Sequence, residues 1–485
     1  MFDLVIRGNR VVTPHGVGAW DVAVKDGVIA ALAAHGSFGP DQSARVIDAG
    51  GGIVMPGGID PHVHCAWYIP PHVPGGPAGR SEPPEVVSRA ALWGGTTTLI
   101  DFAACKPDRE GDESSSQSVR DAIEARDQDW VGRCYCDYAY HIMLRGRVPP
   151  AVIAELAEAV EAGYPTVKIF TTDITPSRRG RMVRFGDAWE IFKVLSRAGG
   201  LGVIHAEDND IVMHMYAKLI REGRVGFENM AEVHNALSED LSFRRVIRLA
   251  ESVPGTALYM MHVSAATGVA AIGEARAKGL PIYGESLHQY MLHTAEDYKL
   301  PNGQIYHTYP SLKSVEDQKA LWEGTRNGAI NCVATDELCC TLREKTMGKR
   351  IDDTTGGNSG VEPRLGVMYT EMVVRRGYSL RRYVDLVSTN AAKIMGLYPR
   401  KGALAVGSDA DITILDPARR SKVRKDDLHE TDYTPWEGHD IFAWPVVTIL
   451  RGTVVVEGGK FLGREGAGQY LKRKIPAEII HGPML

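Results

Sequence analysis

The middle of the chain alternates between short apolar runs and helical patterns, and this alternation constrains the fold more than any other feature. Segments such as 151–160 separate the runs, and in that segment apolar residues recur at helical spacing after Pro149-Pro150. Strands that alternate with helices pair in parallel through crossovers. We therefore expect a (β/α)8 barrel, enlarged beyond the ~250 residues that such barrels usually take. The eight runs are 52–59, 97–102, 135–142, 166–170, 202–205, 257–263, 281–284 and 329–334.

Both ends of the chain are rich in strand-like sequence. The first 55 residues and the region 404–460 contain short β-branched runs bounded by Gly, Pro or Asn. We predict that the two ends combine into one small β-sandwich domain, so that the fold class is α/β with a TIM-like barrel beside a β-sandwich. The predicted division gives 1–55 plus 403–460 to the β-sandwich, 56–402 to the barrel and 461–485 to a tail at a subunit interface.

The composition excludes several classes of protein. In 485 residues, 55 Lys and Arg oppose 60 Asp and Glu, and the net charge of -5 gives no reason to expect nucleic acid or an anionic membrane as partner. The N-terminus carries Asp3 and Arg7 within its apolar stretch, unlike a signal peptide. No apolar run approaches the ~18 residues of a membrane span. Seven sparse cysteines indicate a reducing compartment and buried thiols, so we predict a cytoplasmic protein.

Side chains of metal-ligand type stand at the ends of several strand runs. His62 and His64 follow the first run, and in an extended segment residues i and i+2 point the same way, so both can reach one ion. His205 and His262 end two later runs. A lone histidine at such a position is more often a hydrogen-bonded structural residue. In a barrel, however, the strand ends converge on one face, which favours a shared metal site.

Lys168 and Asp336 complete this set of strand-end residues. Lys168 lies inside the apolar run TVKIF, where an unpaired ammonium is costly to bury. A salt bridge or a stem that reaches solvent is the alternative interpretation. Asp336 follows the run AINCVAT, where a single Asp is usually a turn or cap residue. Six residues of this kind at the ends of five strands together predict a metal centre.

The order of these blocks along the chain resembles one enzyme family. PGGIDPHVH, TVKIF, VIHAEDND, YMMHVSAATG and GESLHQYM are similar to successive blocks of the cyclic amidohydrolases, in particular the dihydropyrimidinase and D-hydantoinase group. KIMGLYPRKGALAVGSDADITILDP and RGTVVVEGGKFLGREGAGQYLKR match the same group. The resemblance covers nearly the whole chain. It implies a hydrolase that opens a hydantoin, dihydropyrimidine or related cyclic imide ring at its C–N bond.

The resemblance also implies a role for each ligand. His62 and His64 bind the more buried of two divalent ions, His205 and His262 bind the second, and Asp336 completes the first site. Lys168, carboxylated by CO2, bridges both ions, since the carbamate is an anion with two oxygens. Zinc is the expected metal, with manganese as the alternative. A hydroxide that bridges two cations forms at neutral pH and attacks the amide carbonyl, while Asp336 passes the proton to the departing nitrogen. Homotetramers or homodimers are implied as well.

Three segments depart from the pattern of the family. The Tyr that supports the oxyanion is replaced by Asp173, and the first residue of a Ser-Pro-Pro-Leu-Arg segment by Tyr309. The segment after Asp336 reads Glu-Leu-Cys-Cys in place of His-Cys-Pro. Losing one oxyanion donor costs ~10²–10³ in turnover. We therefore expect dihydrouracil to be at least ~10-fold poorer than a planar imide or a substituted hydantoin.

Candidate substrate contacts lie in the loops that follow the ligands. In the Gly/Pro-rich loop 65–82, Trp67 and Tyr68 suit an apolar substituent, with loop anchoring as the alternative. Thr172, Thr171 or Tyr68 are candidates for the missing oxyanion donor, and Tyr309 for a backbone contact to the ring. Four arginines follow the fourth run and are either a solvated cluster or a clamp for a substrate carboxylate. They are Arg178, Arg179, Arg181 and Arg184.

Two alternatives to a hydantoinase-like enzyme stay open. An allantoinase-like ureide hydrolase shares the expected ligands. A non-catalytic scaffold, such as the collapsin response mediators, shares the fold but lacks the metal set, and all six ligand positions are filled here. A dihydroorotase usually has an Arg two residues after the second His, where this chain has Ala66.

Overall fold

The central unit is a sheet of eight parallel strands, as the alternation predicts. A computed structural model describes residues 1–69, 79–106 and 117–485. In it the barrel strands form one sheet, in which strands that follow one another along the barrel domain lie side by side. Every predicted run contributes to this sheet, which confirms the barrel fold. The strands are β6 Gly58–Asp60, β9 Thr96–Ala104, β10 Asp137–Met143, β11 Thr166–Phe170, β12 Leu201–His205, β13 Ala257–Met260, β14 Ile282–Leu287 and β15 Cys332–Ala334.

The first and last strands of this sheet meet through their carboxyl ends. Asp60 Oδ2 accepts a hydrogen bond from Thr335 Oγ1 at 2.7 Å. Beyond the strands, the His64 N–H donates to the Glu337 carbonyl at 2.7 Å, and the Glu337 N–H donates to the His62 carbonyl at 3.2 Å. The seam of the barrel is therefore closed by the segments that carry the predicted ligands, so their backbones are fixed on both sides.

One predicted run is divided between two sheets. Residues 52–59 form β5 (Ile53–Pro56), which belongs to the terminal sheet, and β6, which starts the barrel. The break lies at Gly57, where an added Cβ would lie 2.2 Å from Thr97 Oγ1. A single strand was therefore the wrong interpretation, because the chain crosses from one sheet to the next where only a glycine fits.

The second unit is a mixed sheet built from both termini, which confirms the predicted β-rich domain. Apolar side chains from both ends, such as Ile6, Val22, Ile412 and Ile449, share one buried core. Among the described residues, two short antiparallel strand pairs lie outside the two large sheets: β7 Tyr68–Ile69 with β8 Gly79–Arg80, and β17 Ser421–Lys422 with β18 Asp440–Ile441. The strands of the terminal sheet are β1 Leu4–Thr13, β2 Gly16–Lys25, β3 Val28–Ala34, β4 Val46–Asp48, β5, β16 Ile412–Asp416, β19 Trp444–Leu450, β20 Thr453–Glu457 and β21 Lys460–Phe461.

Helices connect successive barrel strands, and the helical pattern predicted at 151–160 is confirmed within the helix Pro150–Glu161. None of the described helices combines the length and the apolar character needed to cross a bilayer. All seven cysteines are buried and free, as predicted. The helices are α1 Pro84–Trp93, α2 Val119–Trp130, α3 Pro150–Glu161, α4 Phe185–Ala198, α5 Asn209–Arg221, α6 Met230–Val233, α7 Ala236–Glu251, α8 Ala266–Ala277, α9 His288–Leu292, α10 Val315–Asn327, α11 Leu342–Thr346, α12 Arg364–Tyr369, α13 Leu380–Val384, α14 Asn390–Ile394 and α15 Ala477–His481.

The C-terminal tail covers the amino end of its own barrel. The Leu471 N–H donates to the Tyr138 carbonyl at 2.7 Å, and Arg473 Nη2 donates to Thr166 Oγ1 at 2.9 Å. Further on, the Tyr283 hydroxyl donates to the carbonyls of Ile479, at 2.9 Å, and Gly482, at 2.6 Å. The tail thus has a structural role within the chain, whatever it contacts in an assembly. Its place at a subunit interface stays a prediction.

Candidate active site

The carboxyl ends of the barrel strands surround a cavity of about 260 Å³. Parallel strands bring residues that are distant in sequence to one edge, so side chains from both ends of the barrel domain meet there. Phe102 stacks under this set, with its ring centroid 4.7 Å from that of His64. All six predicted ligands line the cavity: His62, His64, Lys168, His205, His262 and Asp336.

Two histidines and one carboxylate form the tightest cluster. Asp336 Oδ1 lies 3.0 Å from His62 Nε2 and 3.1 Å from His64 Nε2. The ligand-type atoms of the three residues all lie within 4.8 Å of one another. Asp336 has a φ of 52°, a conformation that a non-glycine residue adopts at a cost. The surrounding structure holds this carboxylate against the histidines in spite of that cost.

The charges of this cluster favour a cation. Burial alone would raise the pKa of Asp336, but His62 and His64 outweigh it and hold the pKa well below its usual range. Burial alone would lower the pKa of His62, but Asp336 and Glu285 raise it to about 9. The carboxylate therefore favours positive charge at His62, whereas burial lowers the pKa of His64 and leaves its imidazole available as a neutral ligand. Imidazole nitrogens and carboxylate oxygens are also the ligands that zinc prefers.

His205, His262 and Lys168 face the cavity from the neighbouring strands. The ring centroids of His205 and His262 are 4.4 Å apart. Lys168 is buried, and its Nζ lies 2.9 Å from Met261 Sδ and 4.9 Å from the centroid of the Phe170 ring. Among the described residues no carboxylate forms an ion pair with it. Burial lowers the pKa of Lys168 to about 7, so the neutral amine that reacts with CO2 is accessible near neutral pH.

Two buried glutamates support the histidines, and the sequence analysis did not assign them. Glu285 Oε1 lies 2.8 Å from His62 Nδ1, and Glu207 Oε2 lies 2.8 Å from His205 Nε2. The other oxygen of Glu207 lies 2.8 Å from His234 Nδ1. Carboxylates in this position fix the orientation of a ligating imidazole. The available signal was a glutamate in or directly after an apolar strand run, since a charge buried there needs a partner. Glu207 lies two residues after His205, and Glu285 lies within the block GESLHQYM.

Asp173 does not replace the missing oxyanion donor. Its Oδ1 accepts hydrogen bonds from the N–H groups of Gly180, Arg181 and Met182, at 3.0, 2.9 and 2.9 Å. The carboxylate therefore folds the loop after β11 back on itself. Sequence reasoning identified the substitution but not this role, because the three donors are backbone groups that no motif displays.

Some of the predicted substrate contacts line the cavity and others do not. Tyr309 lines the cavity beside Gly356, where an added Cβ would lie 2.3 Å from the Tyr309 ring. Trp67 lines the cavity and donates its indole N–H to Asp101 at 3.0 Å, and Tyr68 lines it while 66% exposed. Thr172 is buried and does not line it, so its predicted contact gains no support. Of the loop 65–82, residues 70–78 lie outside the described residues.

Comparisons with known proteins now identify the group to which this site belongs. The model of the Amidohydrolase family matches residues 53–455. The chain belongs to the amidohydrolase family. A D-hydantoinase of Streptomyces coelicolor is 33% identical over 479 residues, 97% of each chain. A D-hydantoinase of Geobacillus stearothermophilus is 32% identical over 483 residues, 97% of this chain and 96% of the relative.

Solved structures agree with this assignment. The crystal structure of dihydropyrimidinase from Brevibacillus agri aligns with a TM-score of 0.89 at 29% identity, over 98% of this chain and 99% of that one. Membership of the amidohydrolase family implies divalent metal, and the His62, His64 and Asp336 cluster of this amidohydrolase fits such an ion by ligand type and burial.

Proposed function

We propose that this chain is a binuclear metal-dependent hydrolase that opens the cyclic amide bond of a hydantoin, dihydropyrimidine or related cyclic imide. The observation that carries the proposal is the convergence of four histidines, Asp336 and Lys168 on one cavity. The named relatives, which are hydantoinases and a dihydropyrimidinase, support the substrate class. A scaffold without activity has no need for six such residues at one cavity.

In this proposal each residue has a defined task. His62, His64 and Asp336 hold one divalent ion, and His205 and His262 hold the second. Lys168 as a carbamate would help to hold the ions, because an anion attracts divalent cations that the ammonium form would repel. The ions, when bound, supply Lewis acidity toward water and the amide carbonyl. Zinc is the proposed metal and manganese the alternative.

Asp336 is the proposed proton carrier. Water adds to the amide carbon, the ring C–N bond breaks, and the proton from water moves through Asp336 to the departing nitrogen. Oδ1 of Asp336 faces the two histidines, whereas Oδ2 accepts a hydrogen bond from Thr308. Thr308 therefore orients the carboxylate, while Glu285 and Glu207 hold His62 and His205 in position.

The test is metal analysis combined with a substrate panel. Protein produced with zinc or with manganese is expected to hold about two ions per chain and to open hydantoins or cyclic imides. The panel includes dihydrouracil, hydantoins, allantoin and cyclic imides, so that allantoin as the preferred substrate would favour the ureide-hydrolase alternative. ¹³C NMR of protein equilibrated with ¹³CO2 checks the carbamate. Full activity in metal-free protein would contradict the proposal.

We further propose that the chain works as a homotetramer or homodimer, with the domain division 1–55 plus 403–460, 56–402 and 461–485. Apolar side chains exposed on α4 and α7, namely Trp189, Leu237 and Leu241, support an interface. Light scattering of the full chain is expected to give a multiple of the monomer mass. A monodisperse monomer would contradict the assembly without affecting the proposed chemistry.

A further inference from the structure

Two arginines line the cavity without an ionic partner. Arg178 and Arg181 both contribute to its wall, whereas Arg179 and Arg184 of the same cluster are exposed and lie outside it. Within residues 1–69, 79–106 and 117–485, neither Arg178 nor Arg181 forms an ion pair with a carboxylate or a side-chain hydrogen bond. Their guanidinium donors are therefore available to a molecule in the cavity.

Aromatic rings of the cavity hold both guanidinium groups in place. The Arg178 guanidinium lies 5.4 Å from the centroid of the Tyr309 ring, and that of Arg181 lies 5.3 Å from the centroid of the Phe170 ring. Arginine stacks on aromatic faces in this way and keeps its in-plane donors free. Tyr309 is fixed in turn, because its hydroxyl donates to the Thr354 carbonyl at 3.2 Å and Gly356 leaves room for its ring.

The backbone of the arginine loop is equally fixed. Asp173 binds the N–H groups of Gly180, Arg181 and Met182, and the Arg181 carbonyl accepts from the Gly146 N–H at 2.8 Å. Asp173 thus folds the loop that carries the arginines, and Tyr309 provides the ring on which Arg178 lies.

Two neighbouring cations that face a cavity repel each other unless an anion lies between them. Planar guanidinium groups bind carboxylates through paired, charge-assisted hydrogen bonds. We propose that the substrate carries a carboxylate on its ring substituent and that Arg178 and Arg181 bind it. This inference rests on the proposed function, since it names the class of cyclic amide that the same cavity accepts.

The test compares two hydantoins of nearly equal shape that differ in charge. One carries a 5-(2-carboxyethyl) group and the other the corresponding 5-(2-carbamoylethyl) group. With metal-loaded full-length protein, kcat/KM is expected to be at least ~10-fold higher for the carboxylate, a modest value for charge-assisted hydrogen bonds. In Arg178→Met/Arg181→Met the preference is expected to fall to about one, through loss on the carboxylate alone.

A matched control lies on the same loop. Arg179→Met/Arg184→Met removes the same charge from exposed positions and is expected to keep the preference. If Arg178→Met/Arg181→Met lowers kcat/KM equally for both hydantoins, the arginines act on the reacting carbonyl or the loop, and the inference is wrong. A wild-type enzyme without preference for the carboxylate overturns it as well.

Calorimetry separates this inference from the proposed function. If the metal-loaded protein opens no ring at all, the proposed function fails, yet the two hydantoins can still be titrated into it. Tighter binding of the carboxylate form, lost in Arg178→Met/Arg181→Met and kept in Arg179→Met/Arg184→Met, supports the arginine site alone. Equal affinity for both forms refutes it.

Discussion

The two ends of the barrel bury charged side chains in opposite ways. At the amino end, Asp137 accepts hydrogen bonds from Lys401 Nζ at 2.6 Å, from Arg451 and from the Gln469 N–H at 2.9 Å. At the carboxyl end, Lys168 is equally buried, but no carboxylate of the described residues forms an ion pair with it, and its Nζ lies beside Met261 Sδ and the Phe102 and Phe170 rings. The buried charge at the amino end is therefore paired within the chain, whereas the buried lysine at the carboxyl end lines a cavity.

This difference shows which buried charges serve the fold. A buried charge costs several kcal/mol unless it is paired and hydrogen-bonded. At the amino end the chain provides those partners itself, including the tail that contributes Gln469. At the carboxyl end Lys168 has no carboxylate partner among the described residues, and the histidines, which Glu285, Glu207 and Asp336 hold in place, line the cavity in which we propose that metal ions bind. The comparison therefore predicts that substitutions at the two ends separate stability from activity.

The largest effect is expected at Lys168. Lys168→Met preserves the volume of the side chain but cannot form a carbamate, so kcat is expected to fall at least ~10⁴-fold, or ~5.5 kcal/mol. The melting temperature of the metal-free variant is expected to stay equal or to rise, because burial already disfavours the ammonium. Steady-state kinetics and calorimetry measure the two quantities.

Lys168→Ala provides the control for this interpretation. Short carboxylic acids can enter the space left by the side chain and are expected to restore part of the activity. A Lys168→Met variant that loses stability as well as activity would show that the lysine is a structural residue, and the contrast between the two ends would disappear.

The opposite result is expected at Asp137. Asp137→Asn leaves Arg451 without a carboxylate, while Lys401 keeps Asp411 and Asp409 at 2.7 and 3.0 Å. It is expected to cost about 2 kcal/mol of unfolding free energy, the scale of a hydrogen bond to a charged group. Turnover per folded, metal-loaded chain is expected to stay within about twofold of wild type. Denaturant unfolding and kinetics at one protein concentration test both.

The contribution of Asp137 to the free energy of unfolding is expected to depend on pH in a defined direction. Burial alone would raise the pKa of Asp137, but Lys401 and Arg451 outweigh it and lower the pKa below its usual 3.8. A lowered pKa in the folded state means that the stabilisation is complete above pH 3.8 and is lost as the pH falls through the folded value. The difference between wild type and Asp137→Asn should therefore be constant from pH 6 to 8 and should shrink in acid. A difference that grows toward low pH would contradict the assignment.

The sequence predicts the residues at the carboxyl end of the barrel more completely than those at the amino end. The predicted ligands follow strand runs whose period and order are visible, and the spacing of His62 and His64 predicts that both lie on one face. The partners of Asp137 are distant in sequence and of common types, and nothing in the sequence joins them. The same holds for Asp173, whose partners are backbone groups, and for the division of 52–59, which depends on the space at Gly57.

Asp336→Asn tests the carboxyl end of the barrel while keeping the shape of the side chain. The amide cannot accept the proton from water, so turnover is expected to fall at least ~10²-fold, the lower limit for acid–base catalysis. Metal content is expected to fall less than in His62→Ala. Near-normal turnover in Asp336→Asn would place the proton carrier elsewhere in the cavity.

The smallest effects on activity and stability are expected from two tyrosines that lie side by side on neighbouring strands. Tyr259 of β13 and Tyr283 of β14 are register partners, and each donates its hydroxyl toward a different end of the barrel. Tyr259 donates to Glu285 at 2.9 Å, behind His62, whereas Tyr283 donates to the tail carbonyls of Ile479 and Gly482. The Tyr→Phe variants at the two positions are therefore a matched pair, because each removes one hydroxyl group and leaves the ring in place.

Tyr259→Phe is expected to lower kcat about tenfold, because Glu285 loses a donor that orients it toward His62, and outer partners of ligands typically contribute about 10–100-fold. Tyr283→Phe is expected to cost about 1 kcal/mol of stability and to speed proteolysis of the tail, with kcat within about twofold of wild type. Steady-state kinetics and denaturant unfolding of both variants test this difference. If both variants lost activity and stability in equal proportion, the two ends would be mechanically coupled, and the pairing of buried charges would no longer distinguish structural from catalytic residues.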